Sequence, residues 1–103
     1  MKHYLLFYEV CENYVEKRAA FRDAHLRHCL AATQRNELLL AGALADPVDG
    51  AVLLFQGTTS AGAQRFAEQD PYVVNGLVPH WRIREWTTVA GPQAATPLTP
   101  RFP

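Results

Sequence analysis

The sequence predicts a single α+β domain: a four-stranded antiparallel sheet with two helices on one face, working as a homodimer. Three observations carry this expectation. A chain of 103 residues has room for one domain. Four short segments dense in branched and aromatic residues alternate with two stretches of helical spacing, in the order β-α-β-β-α-β. Two of the strand segments, Leu38-Leu39-Leu40 and Val52-Leu53-Leu54-Phe55, are apolar at every position, as strands covered on both faces are. Two helices cover one face, so a second copy of the chain is the simplest cover for the other.

Residues 3–10 are rich in Tyr, Leu and Phe and form the first strand, with Leu5 and Phe7 on one face and Tyr4, Leu6 and Tyr8 on the other. Asn13 followed by Glu16 has the form of a capping box. No Gly or Pro interrupts residues 15–34, where Val15, Ala19, Arg22, Leu26, Cys29 and Thr33 recur at helical spacing and Leu30 widens the stripe; one continuous helix is expected. Asn36 stands where a left-handed residue ends it. Residues 38–44 are the second strand. A turn from Asp46 to Gly50 follows, with Asp49-Gly50 its stronger signal, and residues 51–56 are the third strand. Thr59 or Ser60 caps a second helix over residues 61–69 that buries Ala63, Phe66 and Ala67. Pro71 ends it. Residues 72–77 have room for an extra turn, and residues 79–89, with Trp81, Ile83 and Trp86, are the fourth strand. Residues 1–89 thus make the domain, and residues 90–103 a Pro-rich tail without regular structure of its own. This order is the split βαβ plan of ferredoxin-like folds, whose right-handed crossovers put both helices on one face.

Ten basic and ten acidic side chains cancel, leaving no bulk field for nucleic acid or anionic lipid. No apolar run is long enough to span a bilayer. The N-terminal residues read as a strand rather than a signal peptide. Cys11 and Cys29 are too few for a disulfide scaffold. A cytoplasmic protein with reduced thiols is expected, with neither nucleic acid nor membrane as partner.

The residues that can carry chemistry begin with Arg22, His25 and His28, which form one row on a helix. Arg22 would hold an anionic oxygen beside a positioned acid/base, His25; the plainer alternative is that a histidine near an apolar stripe is a satisfied structural residue. Asp70 before Pro71 is ordinary helix-ending punctuation. A carboxylate there also faces the negative end of the helix dipole, which a partner such as His25 would compensate. His25-x-x-His28 lacks further ligands at metal-site spacing. Cys29 behaves as a small hydrophobe and Cys11 has no evident base, so no thiol nucleophile is expected. His3 and His80 start strands and read as surface or rim residues. Gly57 and Gly62 are isolated, so there is no phosphate loop.

Taken together, these segments resemble the YciI-like (YCII-related) family of small dimeric ferredoxin-like proteins, over most of the chain. The resemblance rests on Arg22-x-x-His25-Leu26, on Ala41-Gly42, and above all on Asp70-Pro71-Tyr72-Val73 followed by Gly76-Leu77. It implies that His25 and Asp70 form an active-site dyad in a pocket. One branch of the family removes chloride from a chlorinated hydroxyhydroquinone. The chain departs from the family at Gly42-Ala43, where Gly-Pro is common, and at Asn36-Glu37, where Gly is common.

The chemistry such a dyad would perform follows from its parts. A carboxylate that accepts one imidazole N–H fixes the tautomer and leaves the other nitrogen to exchange a proton. Positioned proton transfer contributes about a hundred- to ten-thousand-fold in rate. The expectation is a cofactor-free, lyase-like enzyme acting on a small oxygenated aromatic molecule. His25 transfers the proton, Asp70 orients it, Arg22 contacts an anionic oxygen, and Tyr72 supplies an aromatic wall. Two alternatives stay open: a non-catalytic dimeric small-molecule binding or accessory protein, and a cofactor-independent oxygenase.

Overall fold

Alternation along the first strand sets the layers. In the computed structural model, which describes residues 1–98, β1 (Lys2–Glu9) buries Tyr4, Leu6 and Tyr8 and leaves Leu5 and Phe7 half-buried on its other face. β1 lies between β3 (Gly50–Gly57) and β4 (His80–Trp86), and β2 (Leu38–Ala43) adds to β3, giving the antiparallel order β2-β3-β1-β4. Leu6 lies opposite Leu53 and Ile83, whereas Leu5 lies opposite Leu54 and Arg84. One face of the sheet is therefore apolar and helix-covered. α2 (Arg22–Gln34) and α3 (Ala61–Gln69) close it with Ala32, Ala63, Phe66 and Ala67 against Tyr4, Leu6, Leu53 and Phe55. This is the expected ferredoxin-like arrangement.

The open face carries Leu5, Leu40, Val52, Leu54 and Trp86 along one shallow groove, with Phe7 beside it under the Arg82 guanidinium at 4.2 Å. A bulge between Leu38 and Leu40 puts Leu38 in the core, whereas Leu40 stays 68% exposed, so the all-apolar run is split between the two faces.

Several local expectations need correction. The continuous helix over residues 15–34 is instead α1 (Tyr14–Lys17), a 3-10 turn (Arg18–Ala20), and α2. The break falls at Phe21, at φ −116°, whose ring packs against the core; tertiary packing overrides a pattern that local spacing reads as unbroken. Asn13 forms no side-chain cap. It sits at φ 59° and turns the chain into α1 through its tolerance of the left-handed region. Asn36 takes its expected left-handed conformation, φ 61°. In the β2–β3 connection the left-handed residue is Asp46, at φ 54° before a cis bond to Pro47. Gly50 is already in β3, where a Cβ would press on the Tyr8 carbonyl oxygen at 3.1 Å.

The extra turn after Pro71 is α4 (Pro71–Val74). Gly76 closes it at φ 80°, which returns the Leu77 N–H to the Tyr72 carbonyl at 2.9 Å. Beyond β4, residues 87–98 hold no helix or strand, yet they fold back on themselves through Thr96 N–H to the Thr88 carbonyl and Leu98 N–H to the Val89 carbonyl. The remaining residues of the expected tail, 99–103, lie outside the described residues. His3, expected at the surface or rim, is buried with Nδ1 2.6 Å from Thr88 Oγ1; His80 is exposed. Among the described residues no helix is long and apolar enough to cross a membrane.

Candidate active site

A wholly buried carboxylate organises one end of the helix layer. Asp70 stands between α3 and α4 in extended conformation, φ −63° and ψ 125°, with no solvent exposure. Such a group persists only when donors replace its water. Three do. The Tyr8 hydroxyl donates to Oδ2 at 2.7 Å, the Tyr72 backbone N–H donates to Oδ1 at 3.0 Å, and His25 Nδ1 lies 2.8 Å from Oδ1.

An ionised carboxylate only accepts, so the proton of the neutral imidazole belongs on Nδ1 and Nε2 is left as an acceptor. Asp70 also caps α4: Pro71 needs no donor at the first helical position and Tyr72 supplies the next N–H. Considering only the C-terminal dipole of α3 missed this, although Asp-Pro is itself the signature of a cap followed by a first-turn proline.

Tyr8 was not among the residues singled out from the sequence. Burial, and then the negative charge of Asp70, push its phenol well above the ordinary tyrosine range, so it remains a donor. The available signal was its inward position on the first strand, since a buried phenol must find a partner.

His25 reaches Asp70 from α2 and is fixed on its flat side by Tyr72, whose ring stacks on the imidazole at 3.8 Å with planes 8° apart. One turn along α2, Cys29 Sγ lies 3.5 Å from Nε2. Burial, and secondly Asp70, push that thiol up to about 12, so it is protonated near neutral pH and aims its weak donor at Nε2.

His25 lines a cavity of about 330 Å³ together with Tyr8, Cys29 and Tyr72, and with Ala41, Gly42 and Ala43 from β2. Ala43 therefore belongs to the wall. Tyr14, Arg18 and Arg22 line the cavity as well. Arg18 lies over the Tyr14 ring at 5.4 Å, and Tyr14 meets Tyr72 edge-on at 5.8 Å. Burial raises the phenols of Tyr14 and Tyr72, opposed in both by the two arginines. Arg18 was also not singled out from the sequence. It stands one helical turn before Arg22 on the same face, and that spacing was the available signal.

Of the row Arg22, His25 and His28, the first two line the cavity and the third does not. His28 donates Nε2–H to the Phe66 carbonyl at 2.9 Å and stacks on the Phe66 ring at 4.3 Å, so it ties α2 to α3. Among the described residues no three His, Cys, Asp or Glu side chains are gathered as a metal site needs. The arrangement in the cavity is a base nitrogen held in one tautomer, a neutral thiol beside it, and two cations at the rim.

A family model described as YCII-related domain matches residues 1–87. Among solved structures, the chain is similar to the 5-chloro-2-hydroxyhydroquinone dehydrochlorinase of Burkholderia phenoliruptrix in complex with 2,5-dihydroxybenzoquinone. The TM-score is 0.70 at 16% identity, covering 84% of this chain and 94% of that one. At this identity the likeness is one of fold. No curated protein matches the sequence.

Proposed function

This chain belongs to the YCII-related family, and from that premise we propose that it is a cofactor-free, lyase-like enzyme that eliminates chloride from a small hydroxylated aromatic molecule by proton transfer at His25. The observation that supports this reading most is the buried Asp70 carboxylate, which takes Nδ1 of the cavity-lining His25 as a donor and leaves Nε2 free to exchange a proton. In the proposed reaction Nε2 accepts the proton of a ring hydroxyl, and Asp70 stabilises the imidazolium that forms. The proton returns to the ring carbon that bears chlorine. A second hydroxyl then loses its proton as the C–Cl bond breaks, the bonding pair leaving as chloride. One HCl is lost, the ring is oxidised to a hydroxyquinone, and C–Cl is reduced to C–H, so no external oxidant enters. Arg22 contacts a ring oxygen and Tyr72 walls the ring.

The working form is a homodimer joined through the open sheet face, in the cytoplasm, where the free Cys11 and Cys29 stay reduced. Chloride release from 5-chloro-2-hydroxyhydroquinone, followed without oxygen, tests the chemistry. His25→Ala is expected to lower turnover by about a hundredfold or more. Unchanged turnover in His25→Ala would remove His25 from the mechanism. Tight binding of the same compound without chloride release would make this a binding protein instead.

A further inference from the structure

Two arginines converge on the cavity and no carboxylate lines it among the described residues. Arg18 is half-buried over the Tyr14 ring, and Arg22 is exposed in the first turn of α2. Neither forms an ion pair among the described residues. Asp70 is paired with neither arginine; its oxygens accept from Tyr8, His25 and the Tyr72 backbone.

An independent observation marks the same end. The Tyr72 side chain is 2% exposed, yet its hydroxyl has no hydrogen-bond partner. Tyr14, Arg18 and Arg22 line the same cavity as this ring, and Arg22 is the side chain whose donors act on the phenol. A buried hydroxyl without a partner is destabilising by itself, and an unexplained one in a binding cavity points to the ligand that satisfies it. Arg22, being exposed, can move to open the way.

We propose that this end of the cavity is an anion subsite, in which Arg18, Arg22 and the Tyr72 hydroxyl hold a charged oxygen group carried by the aromatic ring of the ligand. The ligand then carries an ionised oxygen group, a carboxylate or an ionised ring hydroxyl, with its ring directed toward His25. Two arginine forks match the paired oxygens of a carboxylate, and an ionised ring hydroxyl offers the same charge on one oxygen. The inference rests on the reading that the cavity takes an aromatic molecule, and adds to it the acid group.

Binding tests this without turnover. Benzoate, its neutral counterpart benzamide, and 4-nitrophenolate are titrated into the full chain and followed by amide NMR shifts. Benzoate is expected to bind on the order of tenfold more tightly than benzamide, the preference that charge-assisted hydrogen bonds give. Arg22→Gln, an exposed change, should cut that preference severalfold, Tyr72→Phe should lower it with the ring retained, and Arg18→Gln with Arg22→Gln should abolish it. Benzoate ahead of 4-nitrophenolate assigns the group as a carboxylate, and the reverse order as an ionised ring oxygen. Equal binding of benzoate and benzamide, or a preference that survives the double substitution, overturns the subsite. Chloride release tests the other reading separately: a protein that prefers benzoate but releases no chloride keeps the subsite and loses the dehydrochlorination, and the opposite pair of results does the reverse.

Discussion

Tyr8 and Tyr72 offer the same phenol in two opposite situations. The Tyr8 hydroxyl is one of three donors to a buried carboxylate, whereas the Tyr72 hydroxyl is buried with none of its hydrogen bonds made. Tyr8→Phe leaves Asp70 Oδ2 short of a donor and is predicted to lower the unfolding free energy by about 1–3 kcal/mol. Tyr72→Phe removes an unpaired group and keeps the stack on His25, so stability should hold or rise. Urea unfolding of the two variants separates them, and equal losses would contradict the assignment. His25 and Asp70 stand out in the sequence because each type is unusual at its position, a histidine on an apolar stripe and a carboxylate at a helix end. Tyr8 did not, since an inward aromatic on a strand is ordinary core until its hydroxyl is asked for a partner.

At the scale of elements, the legible parts are those with local punctuation. α3 runs over residues 61–69 as expected, between Thr59, whose Oγ1 accepts the Ala61 N–H at 3.3 Å, and Pro71. Asn36 also announces itself, because few side chains tolerate its conformation. Asn36→Val at φ 61° is predicted to cost about 1–2 kcal/mol, the penalty of a left-handed residue with a Cβ, and Asn36→Gly to cost nothing; a thermal melt of each checks this. The division of the first helical stretch was not legible. A three-residue 3-10 turn leaves the spacing readable as one helix, and Phe21, where the break falls, packs against the core.

For the whole molecule, the consecutive apolar runs correctly foretold a sheet apolar on two sides, and the open side is where they now lie bare. Leu40 is 68% and Trp86 48% exposed on it, in line with Leu5 and Leu54. Exposed apolar surface of this kind is what a second copy would cover. The chain is predicted to run as a dimer in size-exclusion chromatography with light scattering, and Leu40→Asp with Trp86→Asp to run as a monomer. A monomeric native chain would leave the open face without its proposed cover. The groove on the open face and the cavity share Ala41, Gly42 and Ala43 of β2, so a partner seated on that face would lie next to the site.

Asp70 holds His25, a residue of the cavity wall, in the tautomer that leaves Nε2 basic. Nitrogen NMR of the His25 ring, in the native chain and in Asp70→Asn, measures it most directly. A neutral ring protonated at Nδ1 is expected in the native protein, with a shift of that proton toward Nε2 in the variant, where an amide can donate to Nδ1. A native ring already protonated at Nε2, or a tautomer ratio that Asp70→Asn leaves unmoved, would contradict it.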